Sequence, residues 1–134
     1  MTHIGNKIYA SDGSSEITIV DTDQNLKTTK ISVTYEQKPI TNLNELEYCG
    51  KEGDGLIYAN VWFSDFIYAI DPTSGQVLKA FNLASLKQAE SLLQTTYFNH
   101  NRGDVLNGIA YVASEDAFYV TGKLWNLMFK LRFK

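Results

Sequence analysis

"IYASDGSSEITIVD" (Ile8 to Asp21) and "IYANVWFSDFIYAID" (Ile57 to Asp71) are two versions of one segment. Each opens on Ile-Tyr-Ala, continues through an apolar strand and ends in Asp, at offsets of 49 and 50 residues, so a one-residue gap reconciles them. A period of about 40 to 50 residues marks blades or solenoid units, each burying its apolar face against the next.

A second pair overlaps the first. "LNELEY" (Leu43 to Tyr48) and "LNGIAY" (Leu106 to Tyr111) share Leu, Asn and Tyr at an offset of 63. The third copy of the longer unit is then "FYVTGKLWNLMFKL", where Tyr119 answers Tyr58 at an offset of 61. The additional residues fall in "LASLKQAESLLQTTYFNHNRGD", where Leu86, Ala89 and Leu93 stand at helical spacing. This predicts a short inserted helix followed by a polar loop.

Within a unit the pattern is a short inner strand, a Tyr-rich strand, a third apolar strand and an outer strand such as "QVLKAFNL", with turns between. "DPTSG" (Asp71 to Gly75) suits a type I turn and a hairpin. Short strands with a turn every 8 to 12 residues predict an antiparallel all-β chain. Four strands per repeat make it a β-propeller. The units run over about 1–36, 37–84 and 103–134, with an insertion at 85–102. Two and a half to three blades are fewer than the roughly four of a closed ring, so the open edges need a cover.

The composition narrows the function. In 134 residues, 44% are hydrophobic and 20% charged, as in a globular domain with its own core. The net charge of −3, with no basic cluster beyond the alternating Lys130, Arg132 and Lys134, gives no footprint for nucleic acid. No run approaches about 18 apolar residues and "MTHIGNKIYA" lacks a basic start, so neither a membrane span nor a signal peptide is expected. The single Cys49 cannot form an intrachain disulfide and reads as structural. His3 and His100 have no partners at metal-ligand spacing, and no nucleophile triad or phosphate loop is visible. "GNK" and "GDG" read as hairpin turns.

Aligning the copies puts Gly13, Trp62 and Lys123 at one address, just past the Tyr strand. Equivalent strand ends of a propeller surround one mouth of its channel, so Trp62 and Lys123 should face a common space. A packing role would preserve the residue type, whereas this address holds three different ones. Asn44 and Asn107 open successive inner strands. An aromatic wall with an ammonium and amides converging on it suits a small polar ligand. A repeated Asn is more often a turn or capping residue than a ligand contact, and Asn107 reads first that way. Trp125 reads as packing at the rim between blades.

"NLNELEY", "YANVW", "IDPTSGQV", "DVLNGIAY" and "VTGKLW", in this order, resemble the C-terminal half of the glutamine cyclotransferases of plant and bacterial type. "SDGSS" with "ITIVD" resembles the preceding blade, and only residues around Lys51 to Gly55 and Ser91 to Arg102 depart from the pattern. The resemblance implies a five-bladed propeller that needs no metal or other cofactor. It also implies an acyl transfer: the α-amine of an N-terminal glutamine attacks its own side-chain amide, expels ammonia and leaves pyroglutamate. The family's pocket residues carry over to Asn44, Trp62 and Lys123. Lys123 and Asn44 are thus the candidate catalytic residues, and Trp62, Asn107 and Glu45 the candidate substrate contacts. Strand alternation predicts that Glu45 points away from the side that Asn44 faces.

Further blades complete the family's pocket. The resemblance therefore implies two partners, an N-terminal glutaminyl peptide and a complementary propeller half or other protein covering the open edges. It also suggests the secretory pathway. The competing expectation is a non-catalytic propeller fragment that serves as a protein-binding subunit of an assembly.

Overall fold

The computed structural model describes residues 1–50, 53–93 and 105–133. The first sheet contains β1 (Thr2–Ile4), β2 (Lys7–Ser11), β3 (Glu16–Asp21) and β4 (Lys27–Ser32), hydrogen-bonded in chain order. A two-stranded hairpin follows, β5 (Thr34–Tyr35) with β6 (Lys38–Pro39). The second sheet repeats the first with β7 (Leu43–Tyr48), β8 (Ile57–Val61), β9 (Phe66–Ile70) and β10 (Val77–Asn82). After the helix α1 (Ala84–Leu93), a third sheet holds β11 (Leu106–Val112), β12 (Ala117–Gly122) and β13 (Phe129–Leu131). All pairings within these sheets are antiparallel, as the turn spacing predicts.

Two apolar clusters hold the sheets together. One joins Tyr9, Ile17 and Ile19 of the first sheet to Leu46, Ile57, Ala59 and Ile70 of the second. The other joins Tyr58, Ile67 and Ala69 of the second to Leu106, Phe118 and Val120 of the third. Alternation along β8 does the sorting: Ile57 and Ala59 face one neighbour and Tyr58 the other. The central sheet is thus covered on both faces, which is why Ile57 to Asn60 are all buried. Each fully buried isoleucine contributes about 1.5 to 3 kcal/mol relative to exposure, so these clusters dominate the cohesion between sheets.

The repeat gap has a location. Ser11 pairs with Ile17 in the first sheet, whereas Asn60 pairs with Ile67 in the second, so the second turn is one residue longer. The shared Asp at the strand ends also has a local cause. Asp21 Oδ1 accepts the amides of Asp23 and Gln24, and Asp71 Oδ1 accepts those of Thr73 and Ser74. Each aspartate closes its hairpin by binding the turn backbone. The amides of Ser74 and Thr73 hold the Asp71 carboxyl below its ordinary range. Gly75 has φ +75, and a Cβ there would strike the carbonyl oxygen of Ser32, so this turn seats against the link between sheets one and two.

The inserted helix lies between the second and third sheets. Its first amide, that of Ala84, donates to Asn82 Oδ1 at 3.0 Å, which supplies a partner for one of the donors a helix start leaves open. The part of the expected insertion and polar loop from residue 94 to residue 104 lies outside the described residues, as do Lys51 and Glu52. Among the described residues no helix is long and apolar enough to cross a membrane.

Candidate functional site at the strand ends

The second and third sheets share more than a pattern of residues. β7 pairs with β8, and β11 with β12, in the same register and with the same irregularity, between Leu43 and Leu46 in one and between Leu106 and Ile109 in the other. Asn44 and Glu45 occupy the first irregularity, Asn107 and Gly108 the second. A bulge interrupts the ladder and re-aims the side chains within it. Here it brings the two amides together: Asn44 Nδ2 donates to Asn107 Oδ1 at 3.0 Å. Asn107 therefore sits inside a strand, on Asn44, rather than at a turn or a helix cap. The Ser11 hydroxyl donates to the Asn44 carbonyl and ties the first sheet to the same place.

Glu45 is exposed while Asn44 is half-buried. Among the described residues the Glu45 carboxylate makes no hydrogen bond or ion pair. Its amide donates to Asn60 Oδ1 at 2.9 Å, and Asn60 Nδ2 donates onward to the Leu106 carbonyl at 2.9 Å. Asn60 is completely buried, so one amide side chain bridges the two irregular strands away from bulk solvent. The sequence reading passed over it. The available signal was a polar residue inside the apolar strand "IYANV".

Trp62 and Lys123 open equivalent turns. The Trp62 amide donates to the Asn42 carbonyl at 2.8 Å and the Lys123 amide to that of Val105 at 2.9 Å. Each turn then closes through the third residue, Ser64 onto Val61 and Trp125 onto Gly122. The intervening residues, Phe63 and Leu124, are both left-handed, with φ +60 and +58. Lys123 Nζ lies 4.6 Å from the centroid of the Trp62 ring, a cation–π distance. Trp62 also stacks on Phe63, with centroids 5.4 Å apart, and remains 41% exposed. The ammonium is thus neither buried nor matched by a carboxylate among the described residues. Gly13 stands in the shorter turn of the first sheet with φ +88.

Trp125 packs against the second apolar cluster and edge-on to Phe129, with its indole over Gly122. At the other end of the strands, Tyr58 donates to Asp54 at 2.8 Å and Tyr111 to Asp116 at 3.0 Å. Burial pushes the Tyr58 hydroxyl far up, and the Asp116 hydrogen bond pushes Tyr111 up to about 12, so both stay protonated as structural donors. The Cys49 thiol beside them is buried and likewise pushed up by that burial. Among the described residues no three His, Cys, Asp or Glu side chains converge to hold a metal ion.

A family model described as glutamine cyclotransferase matches residues 1–133. The chain belongs to the glutamine cyclotransferase family. A glutaminyl-peptide cyclotransferase from Arabidopsis thaliana is 36% identical over 130 residues, which cover 97% of this chain and 38% of that protein. The crystal structure of Myxococcus xanthus glutaminyl cyclase superposes with a TM-score of 0.82 at 31% identity, over 97% of this chain and 52% of that one. The chain therefore spans about half the length of these relatives or less, and its sheets are blades of a β-propeller type fold.

Proposed function

We propose that this chain carries one side of the pocket of a glutaminyl-peptide cyclotransferase, which converts an N-terminal glutamine to pyroglutamate with release of ammonia. The Lys123 ammonium poised over the Trp62 ring is the observation that supports the reading most directly. A carboxylate partner would neutralise that charge. An aromatic face holds it in place and leaves its field available.

In the proposed reaction the substrate's α-amine forms a bond to its side-chain amide carbon, and the C=O bond opens to a tetrahedral oxyanion. Lys123 donates a hydrogen bond to that oxygen and stabilises it more than it stabilises the ground-state amide. The same positive charge disfavours a second one nearby, which keeps the attacking amine neutral. The amine's proton passes to the amide nitrogen, the C–N bond breaks, ammonia leaves and the ring C=O is restored. Asn44, steadied by Asn107, holds the substrate's backbone or amide group. Trp62 covers the substrate chain and excludes water, and Glu45, exposed on the same strand, is available for proton transfer.

The remaining wall of the pocket comes from further blades, in the same gene product or in a partner that covers the open edges. This assigns the chain two partners, the glutaminyl peptide and a complementary propeller half. The test is ammonia release from an N-terminal glutaminyl peptide, by this chain alone and with a complementary half from a relative. Release that Lys123→Ala abolishes supports the reading. Binding to such a half without any turnover would replace it with a non-catalytic, protein-binding fragment.

A further inference from the structure

The inserted helix α1 touches both turns that carry the candidate pair. At its start the Leu83 amide donates to the Asp65 carbonyl at 2.7 Å, and Lys87 Nζ lies 3.2 Å from Asp65 Oδ1. Asp65 ends the turn that Trp62 opens. Two helical turns on, Glu90 is completely buried. Its Oε1 accepts the amide of Asn126 at 2.7 Å and its Oε2 accepts that of Leu127 at 2.9 Å. Both amides follow directly on the turn that Lys123 opens, and the Thr121 hydroxyl holds the Leu127 carbonyl at 2.8 Å.

A carboxylate withdrawn from water is costly unless donors meet its oxygens, and here a peptide N–H meets each one. No uncharged side chain of that length does the same. Glutamine has a single oxygen and would turn its own N–H2 group toward one of the amides. The segment from Lys123 to Met128 lies between two strands: the Lys123 amide holds its start on the Val105 carbonyl, the Trp125 amide closes back onto Gly122, and the bonds to Glu90 and Thr121 hold its far part at Asn126 and Leu127. The bonds to Glu90 and Thr121 thus secure the far end of the loop whose near end carries Lys123, an exposed lysine with no ionic partner of its own among the described residues.

We infer that Glu90 is a positioning residue for Lys123, and that α1 is a bracket fixing the turn of Lys123 against the turn of Trp62. The inference rests on the reading of Lys123 as the pocket cation, but its geometry can be tested without turnover. A lysine stacked on an indole shows upfield ring-current shifts of its Cε protons, so Lys123 reports its own place by NMR. Glu90→Gln is expected to move those shifts toward the values of a free lysine while the amides of Asn126 and Leu127 exchange faster. Thr121→Val, which releases the same turn from its other side, is expected to do likewise, and it decides alone if Glu90→Gln does not fold. In an assembly that releases ammonia, Glu90→Gln lowers kcat about 10- to 100-fold, as a misplaced catalytic group does, with KM little changed.

Faster amide exchange with unmoved Lys123 shifts in both variants overturns the inference and leaves Glu90 a structural staple. Moved shifts in a protein that never turns over uphold the bracket and count against the cyclase reading instead.

Discussion

Lys123 Nζ stands 4.6 Å from the centroid of the Trp62 ring, and the two residues come from equivalent turns of neighbouring blades. A repeat unit whose copies differ at this one address has turned a shared turn geometry into two unlike chemical groups. The charge of the lysine is therefore separable from the fold. Lys123→Met keeps the stem and removes the ammonium, and in an assembly that releases ammonia it should lower kcat by about 100- to 1000-fold, as the proposed role of oxyanion donor requires. Because Lys123 is exposed, the same variant should lose no more stability than the about 0.5 to 1 kcal/mol of the cation–π contact, and a larger fall in the unfolding midpoint would mean the loss was one of folding.

Trp62 holds the ammonium through its π face. Trp62→Phe retains a smaller face, and Trp62→Ala retains none. A cation–π contact at an exposed site is worth about 0.5 to 1 kcal/mol, so the ring-current shift of Lys123 should shrink in the first variant and vanish in the second. In an assembly that turns over the proposed substrate, KM for a glutaminyl peptide should rise in the same order. An unchanged KM in Trp62→Ala would remove Trp62 from the proposed substrate contacts.

Asn60 satisfies the Glu45 amide and the Leu106 carbonyl from a fully buried position. Asn60→Leu leaves both unpaired at a cost of about 1 to 3 kcal/mol each. Urea unfolding should show this as a lower midpoint with the slope preserved. The Asn44 to Asn107 bond should weaken with it, since Glu45 and Leu106 flank those asparagines.

Gly122 lies under the Trp125 indole, which a Cβ at that position would strike. Gly122→Ala should displace Trp125 from the apolar cluster, read as a red shift of tryptophan emission and a destabilisation of about 1 to 3 kcal/mol. An alanine that leaves both signals in place would show that the indole has room to move.

The amides of Ser74 and Thr73 hold the Asp71 carboxyl below its ordinary pKa. A depressed folded-state value means that the stabilisation is present above about pH 4, the unfolded value, and is lost as the pH falls through the folded one. Thermal stability should therefore drop more steeply below pH 4 in the wild type than in Asp71→Ala, which has no such carboxylate to protonate. Parallel acid profiles would show that the Asp71 turn carries none of this dependence.

The sequence alone determined the architecture, because a repeat prints itself in order. The offsets of 63 between Asn44 and Asn107 and of 61 between Trp62 and Lys123 persist as equal registers and equal turns. The helical spacing of Leu86 and Ala89 and the turn chemistry of Asp71 were legible because they depend on near neighbours. What only the tertiary structure decided depends on which blade lies beside which. Asn60 looks like an interruption of an apolar strand until Leu106 arrives across the interface. Glu90 looks like the solvent face of a helix until the amides of Asn126 and Leu127 close over it. Hydrophobic periodicity records burial on one element at a time. A buried polar group is settled by a partner 36 to 46 residues away, and no local pattern encodes that meeting.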